Sequence, residues 1–490
     1  MTIPVSVEVD KIEIKNFAEA EEKIFEVAME FGRKLFRQIL ELRDLQLLAE
    51  RDKERYRCKG LRSTHIKTYM GDMDYARRVY QDITATGEDN AKKCVYLLDE
   101  ELAIDKIGHI SATVCKQVAN VISESSYRAT ARQISKQTGG SISAQGAWNL
   151  VQGMGKKLGA QNERNAELDE AHAGKGEIST KILYEENDGV WLNLQGQSRK
   201  ENGPSKEMKV GIAYDGAKWK ISKDGKKRRT LNNKVAYAAF LPISEYRRLK
   251  EGRIASMFSK DAIELRVVNG DGGAWTQQKQ SSDCICVLDE FHRNKKLKEC
   301  VRDQEFAQTL RKLLYENKID ELLECLEAQI NSVTDEKEIA DLKTLQRYYT
   351  ENKDALKGYY DRGIDIPETR EPGVIHHARL GSMESNVFTL ISNRMKDRRA
   401  CWSIDGGNNL AAILCAYHTT GLEDIFMSLP EVPAVETEKD WIDDGKPISA
   451  SKMPLTSGAG HEHQHNISTT NFSEILRSIS TFSPLSALSL

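Results

Sequence analysis

Residues 182–195, ILYEENDGVWLNLQ, decide the fold. Their apolar and aromatic side chains predict a β-strand that has an acidic residue within it. Asp188 lies in the middle of this strand. An aspartate among apolar neighbours is costly to bury unless it is paired or binds a metal. The stretch therefore predicts the first strand of a sheet and, within it, a candidate functional acid.

The residues that follow alternate between strand-like and helical stretches. Three strands in succession, then a helix and two more strands, predict a mixed sheet flanked by helices. Periodic leucines then predict an all-helical insertion over 299–362 and a further helix over 383–397. The other predicted strands are 209–214, 235–240, 263–268 and 284–288, and the helix between them is 244–258.

The sequence upstream of the sheet is mainly helical. Apolar residues at three- and four-residue steps predict a helix over 16–57, and two alternating runs, 65–70 and 73–80, predict a hairpin about Gly71. The arginines and tyrosines of this hairpin could face phosphate, or the hairpin could be solvated and pack on the helix. Helical periodicity returns over 98–160.

A pair of helices with a glycine turn lies within that region. Residues 125–134 predict one short helix, 138–140 predict the turn, and Ser143 caps a second helix that continues through Met154. This layout is typical of DNA-binding helix-turn-helix motifs, but any α-hairpin has a similar pattern. DNA binding by the pair therefore depends on support from the rest of the chain.

Composition excludes several classes of protein. The chain has 490 residues, 39% hydrophobic and 30% charged, with 71 basic against 74 acidic side chains. Apolar runs are too short for a membrane helix, the N-terminus shows no secretory-signal pattern, and the nine cysteines include no CxxC pair. We expect a cytoplasmic protein of several domains without a disulfide framework, in which any nucleic acid is held by local basic patches.

Two segments have little apolar periodicity. Residues 161–178 predict a linker or an exposed helix. The tail from about residue 430 is acidic and then rich in serine and threonine, and it contains three alternate histidines. Alternate histidines could bind a metal, but no other type of ligand flanks them, so a polar tail is the simpler prediction. The histidines are His461, His463 and His465.

Two further acids stand beside predicted strands or helices. Asp271 lies directly after the strand 263–268, between glycines that allow close backbone approach, and strand ends are where sites form in α/β sheets. Glu384 lies at the start of the helix 383–397. Together with Asp188 they make two strand acids and one helix acid, which match the needs of a two-metal phosphoryl-transfer site, because carboxylate oxygens suit Mg²⁺ or Mn²⁺.

Each of these acids also has an ordinary structural alternative. Asp188 could belong to a simple Asp-Gly turn, Asp271 could cap a loop, and Glu384 could be a favourable charge at a helix N-terminus. Asp289 and His292, spaced Asp-x-x-His after the strand 284–288, could bind metal, position substrate or cap a helix. Spacing alone leaves these alternatives open.

Taken together and in order, these motifs resemble the DDE transposases of bacterial insertion sequences, specifically the ISLre-type group, which is related to the Mutator-like superfamily. The resemblance covers most of residues 15–420. Thr276 departs from the pattern, since an aliphatic residue is expected after the tryptophan. The motifs that carry the resemblance are Asp188-Gly189, Gly270-Asp271-Gly272 with Trp275, Leu288-Asp289-Glu290-Phe291-His292, Gly381-Ser382-Met383-Glu384, Arg394-Met395-Lys396-Asp397-Arg398 and Cys401-Trp402-Ser403.

The resemblance implies an α+β, multi-domain fold. An RNase H-like mixed-sheet catalytic core would hold an all-helical insertion and follow a mainly helical DNA-binding region. The expected domains are an N-terminal helix plus hairpin (1–97), a helix-turn-helix-like region (98–178), the catalytic core (179–298 and 363–430), the insertion (299–362) and a polar tail (431–490).

The resemblance also implies an activity. Metal-assisted hydrolysis would cut each end of an insertion sequence, and the freed 3′-hydroxyl would then attack target DNA. Asp188, Asp271 and Glu384 carry over as the catalytic triad that holds two Mg²⁺ or Mn²⁺ ions, and Asp289 and His292 as strand-positioning residues. The expected partners are the element's terminal repeats, target DNA and a second copy of the chain or more, with no membrane, at a cytoplasmic, nucleoid-associated location.

Phosphate groups of the DNA would need basic contacts. Basic runs are usually solvated surface, but two of them directly follow proposed active-site residues, so we expect some to bind DNA. The candidate DNA-binding residues are Arg128, Arg132, Trp148, Lys227, Arg228, Arg229, Arg293, Lys295, Lys296, Arg394 and Lys396.

Three other functions compete with transposition. The chain could be an inactive or domesticated transposase that only binds DNA, which metal-dependent strand cleavage would exclude. It could be another RNase H-like nuclease, such as a junction resolvase or an RNA-strand hydrolase, which would not bind specific repeat ends. A helical scaffold is disfavoured by the glycine-flanked acids at strand ends.

Overall fold

The structure is a computed structural model. All of its described residues belong to one compact unit within residues 1–433. No helix in the described part of the chain is long and apolar enough to cross a membrane. The predicted tail with its three histidines, and Arg398, lie outside the described residues. The structure describes residues 14–84, 94–102, 106–107, 110–174, 176–222, 225–276, 284–367, 374, 380–397 and 400–419.

A long helix, α1, packs on a β-hairpin at the N-terminal end. The hairpin prediction is confirmed, because β1 and β2 pair antiparallel in register from Thr68 opposite Gly71. The predicted helix end at residue 57 is wrong: the Asp52 side chain accepts the backbone N–H groups of Glu54 and Arg55, and such local bonds compete with helix. The elements are α1 (Phe17–Glu50), β1 (Tyr56–Thr68), β2 (Gly71–Asp82), β3 (Cys94–Val95), α2 (Leu97–Glu101), β4 (Lys106–Ile107) and β5 (Ile110–Ser111), with sheet order β3-β2-β1-β5-β4.

Three helices connect this region to the central sheet, and they confirm the predicted helix pair. Ser126 and Ser143 each cap a helix by accepting a backbone N–H, and Gly139 ends the first helix in the left-handed conformation, φ 61°. The second helix continues to Glu170, so residues 161–170 of the ambiguous stretch 161–178 are helical. The helices are α3 (Ala112–Ile122), α4 (Tyr127–Thr138) and α5 (Ala144–Glu170).

The central sheet is mixed, as predicted. Its strands lie in the order β10-β7-β6-β11-β12, with β7 antiparallel to both of its neighbours and β6, β11 and β12 parallel to one another. The β8–β9 hairpin was not predicted. The elements are β6 (Ile182–Leu194), α6 (Gly196–Asn202), β7 (Ser205–Tyr214), β8 (Gly216–Ile221), β9 (Lys227–Asn232), β10 (Val235–Ala239), α7 (Ile243–Ala255), β11 (Leu265–Gly270), β12 (Cys284–Leu288) and β13 (Cys401–Trp402), which pairs with the end of β6.

Alternate side chains of β6 point to opposite faces of the sheet, which are covered by different helices. On one face Leu183 packs with Ile254 at the end of α7 and with Phe258, which follows that helix. On the other face Tyr184 and Val190 belong to the main core, which also contains residues of α3, α4, α5 and the C-terminal helices. Both faces of β6 are therefore buried near its centre.

The predicted helical insertion is confirmed as helical, and it has a core of its own. Buried leucines from three helices form this core together with the end of β12 and α8. The chain then returns to the sheet with a helix interrupted by one π-helical turn. The elements are α8 (Glu290–Cys300), α9 (Gln304–Tyr315), α10 (Ile319–Ser332), α11 (Glu336–Glu351), α12 (Lys353–Leu356), a 3₁₀ turn (Tyr359–Arg362), α13 (Met383–Val387), the π turn (Phe388–Ser392), α14 (Asn393–Met395) and α15 (Ile404–Tyr417).

Candidate active site

Asp188 lies inside β6, so the simple-turn alternative is wrong. It pairs with Val210 of β7, two residues beyond the last β6 residue that pairs with β11. Its side chain is 14% exposed, and one carboxylate oxygen accepts the N–H of Gly189 at 2.7 Å. The strand and this hydrogen bond therefore hold the acid in place.

Asp271 follows β11 directly, at the carboxyl end of the strand beside β6. Its Oδ1 accepts the Gly273 N–H at 2.9 Å and the Thr276 hydroxyl at 2.7 Å, which confirms the loop-cap alternative. A Cβ on Gly270 would lie 2.7 Å from Thr276 Cβ, so glycine is needed for this close return of the loop. Thr276, the residue that departs from the transposase pattern, therefore orients the acid.

Asp289 caps α8 and at the same time holds an imidazole. Its Oδ2 accepts the backbone N–H groups of Phe291 and His292, and it lies 3.1 Å from His292 Nδ1. His292 Nε2 lies 4.0 Å from Asp188 Oδ1. The helix-capping alternative is thus confirmed, and the cap also places the imidazole between two aspartates.

Glu384 lies in the first turn of α13 and is exposed. The charges of Glu384 and Asp271 both act on Asp188. The structure therefore brings the three predicted triad residues into one electrostatic neighbourhood, although they are far apart in the sequence. In its present position Glu384 is also a favourable charge at a helix start, as the third alternative proposed.

Burial and nearby charges shift the acid–base properties of this neighbourhood. Burial raises the pKa of Asp188 to about 6; His292 lowers it, and Asp271 and Glu384 raise it. The pKa of His292 is raised above its ordinary value, chiefly by its hydrogen bond with Asp289 and against the effect of burial. An aspartate that resists ionisation next to an imidazole that favours protonation is typical of functional sites.

The donor set is suitable for a divalent cation, although the side chains do not form a closed cage. Within the described residues, no three aspartate, glutamate, histidine or cysteine side chains converge closely enough to hold a metal as they stand. Asp188, Asp271 and Glu384 nevertheless supply the hard carboxylate oxygens that Mg²⁺ and Mn²⁺ prefer. A cation would also offset the repulsion from Asp271 and Glu384, which adds to the effect of burial on the pKa of Asp188.

Sequence reasoning missed Glu186, the residue that organises this region. Glu186 is fully buried and lies on the same face of β6 as Asp188, two residues earlier. Its carboxylate accepts hydrogen bonds from the Tyr214 hydroxyl at 2.7 Å and from Asn269 Nδ2 at 3.0 Å. The period-two spacing from Asp188 is the only sequence signal that could have identified it.

Glu186 also fixes the segment that leads to Glu384. The backbone N–H groups of Gly381 and Ser382 donate to Glu186 Oε2 at 2.9 and 3.0 Å. Gly381 has φ +104°, a conformation that L side chains rarely adopt. The start of α13 is therefore attached to the centre of the sheet by a buried carboxylate.

The opposite face of β6 carries a second buried polar network. Glu185 contacts Lys250 Nζ at 2.6 Å and Arg266 at 3.2 Å, and Lys250 also donates to Asn187 at 2.8 Å. Both cationic side chains are nearly fully buried. The charges on this face are therefore compensated within the protein.

Some candidate DNA-binding residues lie on exposed surfaces. Arg128 and Arg132 are exposed on α4, and Trp148 of α5 is 40% exposed. Lys295 on α8 and Lys396 after α14 are also exposed. These positions are compatible with phosphate contact.

Three candidates on α8 and α14 are less accessible. Arg293 and Lys296 on α8 are partly buried. Arg394 Nε donates to the carbonyl of Ile122 at 2.8 Å, and its guanidinium lies 5.4 Å from the centre of the Trp402 ring. In this structure Arg394 therefore links α14 to α3.

The run Lys227, Arg228 and Arg229 lies on the β8–β9 hairpin. Lys227 and Arg228 are exposed, and Arg229 is half-buried. Arg229 pairs with Trp219 across the hairpin, and Trp219 is 56% exposed. Sequence reasoning missed this tryptophan, which adds a surface for base stacking beside the basic residues.

Residues 12–426 match the family described as "Uncharacterised protein family (UPF0236)". The chain belongs to the UPF0236 family. One relative, the "UPF0236 protein in vanSb 3'region" of Streptococcus gallolyticus, is 20% identical over 430 residues, which cover 84% of this chain and 85% of the relative. The part that matches UPF0236 contains every candidate site residue.

Neutralising Asp188 should stabilise the metal-free protein at neutral pH. Its folded-state pKa of about 6 exceeds the ordinary value of 3.8, so folding favours the protonated form. The stability of the natural chain therefore falls as the pH rises from about 3.8 to about 6 and above. At pH 7, Asp188→Asn should raise the free energy of unfolding by about 1–3 kcal/mol. Urea unfolding between pH 7 and pH 4.5 measures this difference, which should shrink as the pH falls.

The matched control for this measurement is Asp261→Asn. Asp261 is exposed near the start of β11, away from the site, and its substitution should leave stability unchanged at every pH. If Asp188→Asn is no more stable than the natural chain at pH 7 in chelator, the environment of Asp188 is not the one described.

Replacing Glu186 with glutamine should destabilise the fold. The new amide group would face N–H donors in a buried position, and unsatisfied donors there should cost about 2–4 kcal/mol in the free energy of unfolding. Urea unfolding measures the loss. Glu177→Gln at an exposed position is the control and should change stability by less than about 0.5 kcal/mol; equal stability of the two variants would contradict the network.

Proposed function

We propose that this UPF0236 protein is a transposase that cleaves DNA at the ends of an insertion sequence and transfers the freed strand, with Asp188, Asp271 and Glu384 as its metal-binding acids. One observation carries the proposal. A largely buried aspartate in the central strand, whose pKa burial raises to about 6, lies in the field of two further acids and 4.0 Å from an imidazole nitrogen. Such an accumulation of negative charge is stabilised by divalent cations.

The proposal includes an RNase H-like architecture for the central sheet. What supports it is the mixed sheet with the acid-bearing strand β6 at its centre and a second acid after the parallel neighbour β11. The helical insertion also falls between the second and third acids, as the resemblance to DDE transposases implies. The domain boundaries drawn from the sequence remain part of the same proposal.

Asp188, Asp271 and Glu384 would hold two Mg²⁺ or Mn²⁺ ions. When bound, such ions stabilise the attacking and leaving oxygens of an in-line phosphoryl displacement. The protein would fix the acids that receive them: β6 holds Asp188, and Thr276 holds Asp271. Glu186 holds the turn that leads to Glu384.

His292 has the position of a strand-positioning group. Its Nδ1 is engaged by Asp289, which leaves Nε2 directed to the side of Asp188 at 4.0 Å. A protonated imidazole there would donate to a phosphate oxygen of the DNA strand that approaches Asp188. The hydrogen bond with Asp289 raises the pKa of His292 and so favours that protonated form.

DNA would be gripped outside the acid site by exposed basic residues. The α4–α5 pair presents Arg128 and Arg132, and the β8–β9 hairpin presents Lys227, Arg228 and Trp219. Basic side chains bind phosphates without regard to sequence, and the aromatic ring can stack on an unpaired base. Affinity for the element's ends should therefore fall steeply with salt.

A second function is an inactive or domesticated transposase that binds DNA without cutting it. The observation that favours it is the absence, within the described ranges, of three metal-binding side chains that already converge. The two functions share their DNA contacts and differ only in strand cleavage.

Nicking of DNA that carries the ends of the element flanking this gene tests the proposal. With Mg²⁺ or Mn²⁺ the natural chain should cut at those ends, and EDTA should abolish cutting. Asp188→Ala, Asp271→Ala and Glu384→Ala should each lower the rate by about 100-fold or more, since removing one group that stabilises reacting oxygens costs about 3 kcal/mol. Asp261→Ala is the matched control and should cut normally.

Binding measured on the same DNA separates the possible outcomes. Variants that bind but do not cut assign the triad. A natural chain that binds the ends yet never cuts with either metal would establish the DNA-binding function instead. Cutting that survives Glu384→Ala would remove Glu384 from the site.

A further inference from the structure

Helix α1 has a second apolar face that the described part of the chain does not cover fully. Leu40 and Asp44 are buried on the side that packs on the hairpin. On the opposite side Phe17, Ile24 and Phe31 are 78%, 64% and 42% exposed. Single exposed apolar residues are common, but a continuous row of them marks an interaction surface.

This outer face follows a seven-residue repeat. Phe17, Ile24 and Phe31 recur every seven residues, and Ala28 and Leu35 each follow one of them by four. Alternating steps of four and three are the pattern of a coiled-coil seam. The outer seam consists of Phe17, Glu21, Ile24, Ala28, Phe31, Leu35, Gln38 and Leu42, of which the last three are half-buried.

The charge of α1 is divided along its length. Residues 17–30 contain five glutamates and one lysine, whereas residues 31–44 contain four basic and two acidic residues. A second copy of the helix in the opposite direction would place each acidic half beside a basic half. A parallel copy would place like charges together, which disfavours that arrangement.

We propose that the outer seam of α1 pairs antiparallel with the same seam of a second copy of this chain. A two-fold axis that sets Ala28 opposite Phe31 also sets Ile24 opposite Leu35 and Phe17 opposite Leu42. The two polar residues of the seam, Glu21 and Gln38, then face each other.

This arrangement makes an isologous interface, in which each contact occurs twice. The proposal does not depend on the DNA-cleaving function, since it rests only on the pattern, exposure and charge of α1. It predicts a dimer in the absence of DNA.

Light scattering coupled to size exclusion and sedimentation equilibrium test the dimer. The natural chain should have twice the 55.3 kDa of the monomer. Ile24→Glu and Phe31→Glu should each raise the dissociation constant by about 100-fold or more, because a lost apolar contact counts twice in a two-fold interface. Circular dichroism should show an unchanged fold, since both side chains are exposed.

Ile221→Glu is the matched control, because Ile221 is a 73% exposed isoleucine on the β8–β9 hairpin. This variant should remain a dimer. A natural chain that stays monomeric at its highest soluble concentration would overturn the proposal, and so would an equal effect of the control and the α1 variants.

Photo-cross-linking identifies the occupant and its direction. A benzophenone amino acid in place of Phe17 should give a dimer-sized product whose cross-link lies near Leu42 of the second chain, and Ile24→Glu should abolish it. Cross-links within a single chain would refute the second copy as the occupant. Cross-links between the two Phe17 positions would refute the antiparallel arrangement.

Discussion

A single buried carboxylate, Glu186, joins the segments that carry the candidate acids. Its oxygens accept donors from β7, from β11 and from the turn before α13. A carboxylate without these partners would be very costly in the protein interior. The fold is therefore favourable only when all three segments are in place around β6, and the position of Glu384 follows from that condition.

The helical insertion is attached to the same site by its own side chains. The Tyr348 hydroxyl donates to the carbonyl of Asp271 at 2.7 Å, and the Tyr349 hydroxyl donates to the carbonyl of Arg293 at 3.1 Å. Both tyrosines come from α11, and Tyr349 also lies in the insertion core. The insertion core therefore supports the loop that carries Asp271 and the helix that carries His292.

Local sequence predicts local structure here, but it does not reveal distant partners. The apolar run 284–288 predicts β12 to the residue, and Ser143 predicts the start of α5, because each signal lies within its own element. The β8–β9 hairpin escaped prediction because its charged residues hide the alternation. Sequence patterns indicated only Asp188, Asp271, Asp289, His292 and Glu384 as candidate site residues, because positions within a strand, after a strand or at a helix start carry information. Glu186 and Gly381 are 195 residues apart, and no local pattern connects them.

The four consecutive polar residues of β6, Glu185 to Asp188, have different kinds of partner in the fold. Glu185 and Asn187 receive cationic partners on one face, and Glu186 receives neutral donors on the other. Asp188, by contrast, receives no full compensation: burial raises its pKa to about 6, and the charges of Asp271 and Glu384 add to that effect. A neutral residue would suit this position better for stability alone. Natural proteins keep such local conflicts mainly at functional sites, so the conflict itself is an argument that Asp188 is retained for binding or chemistry.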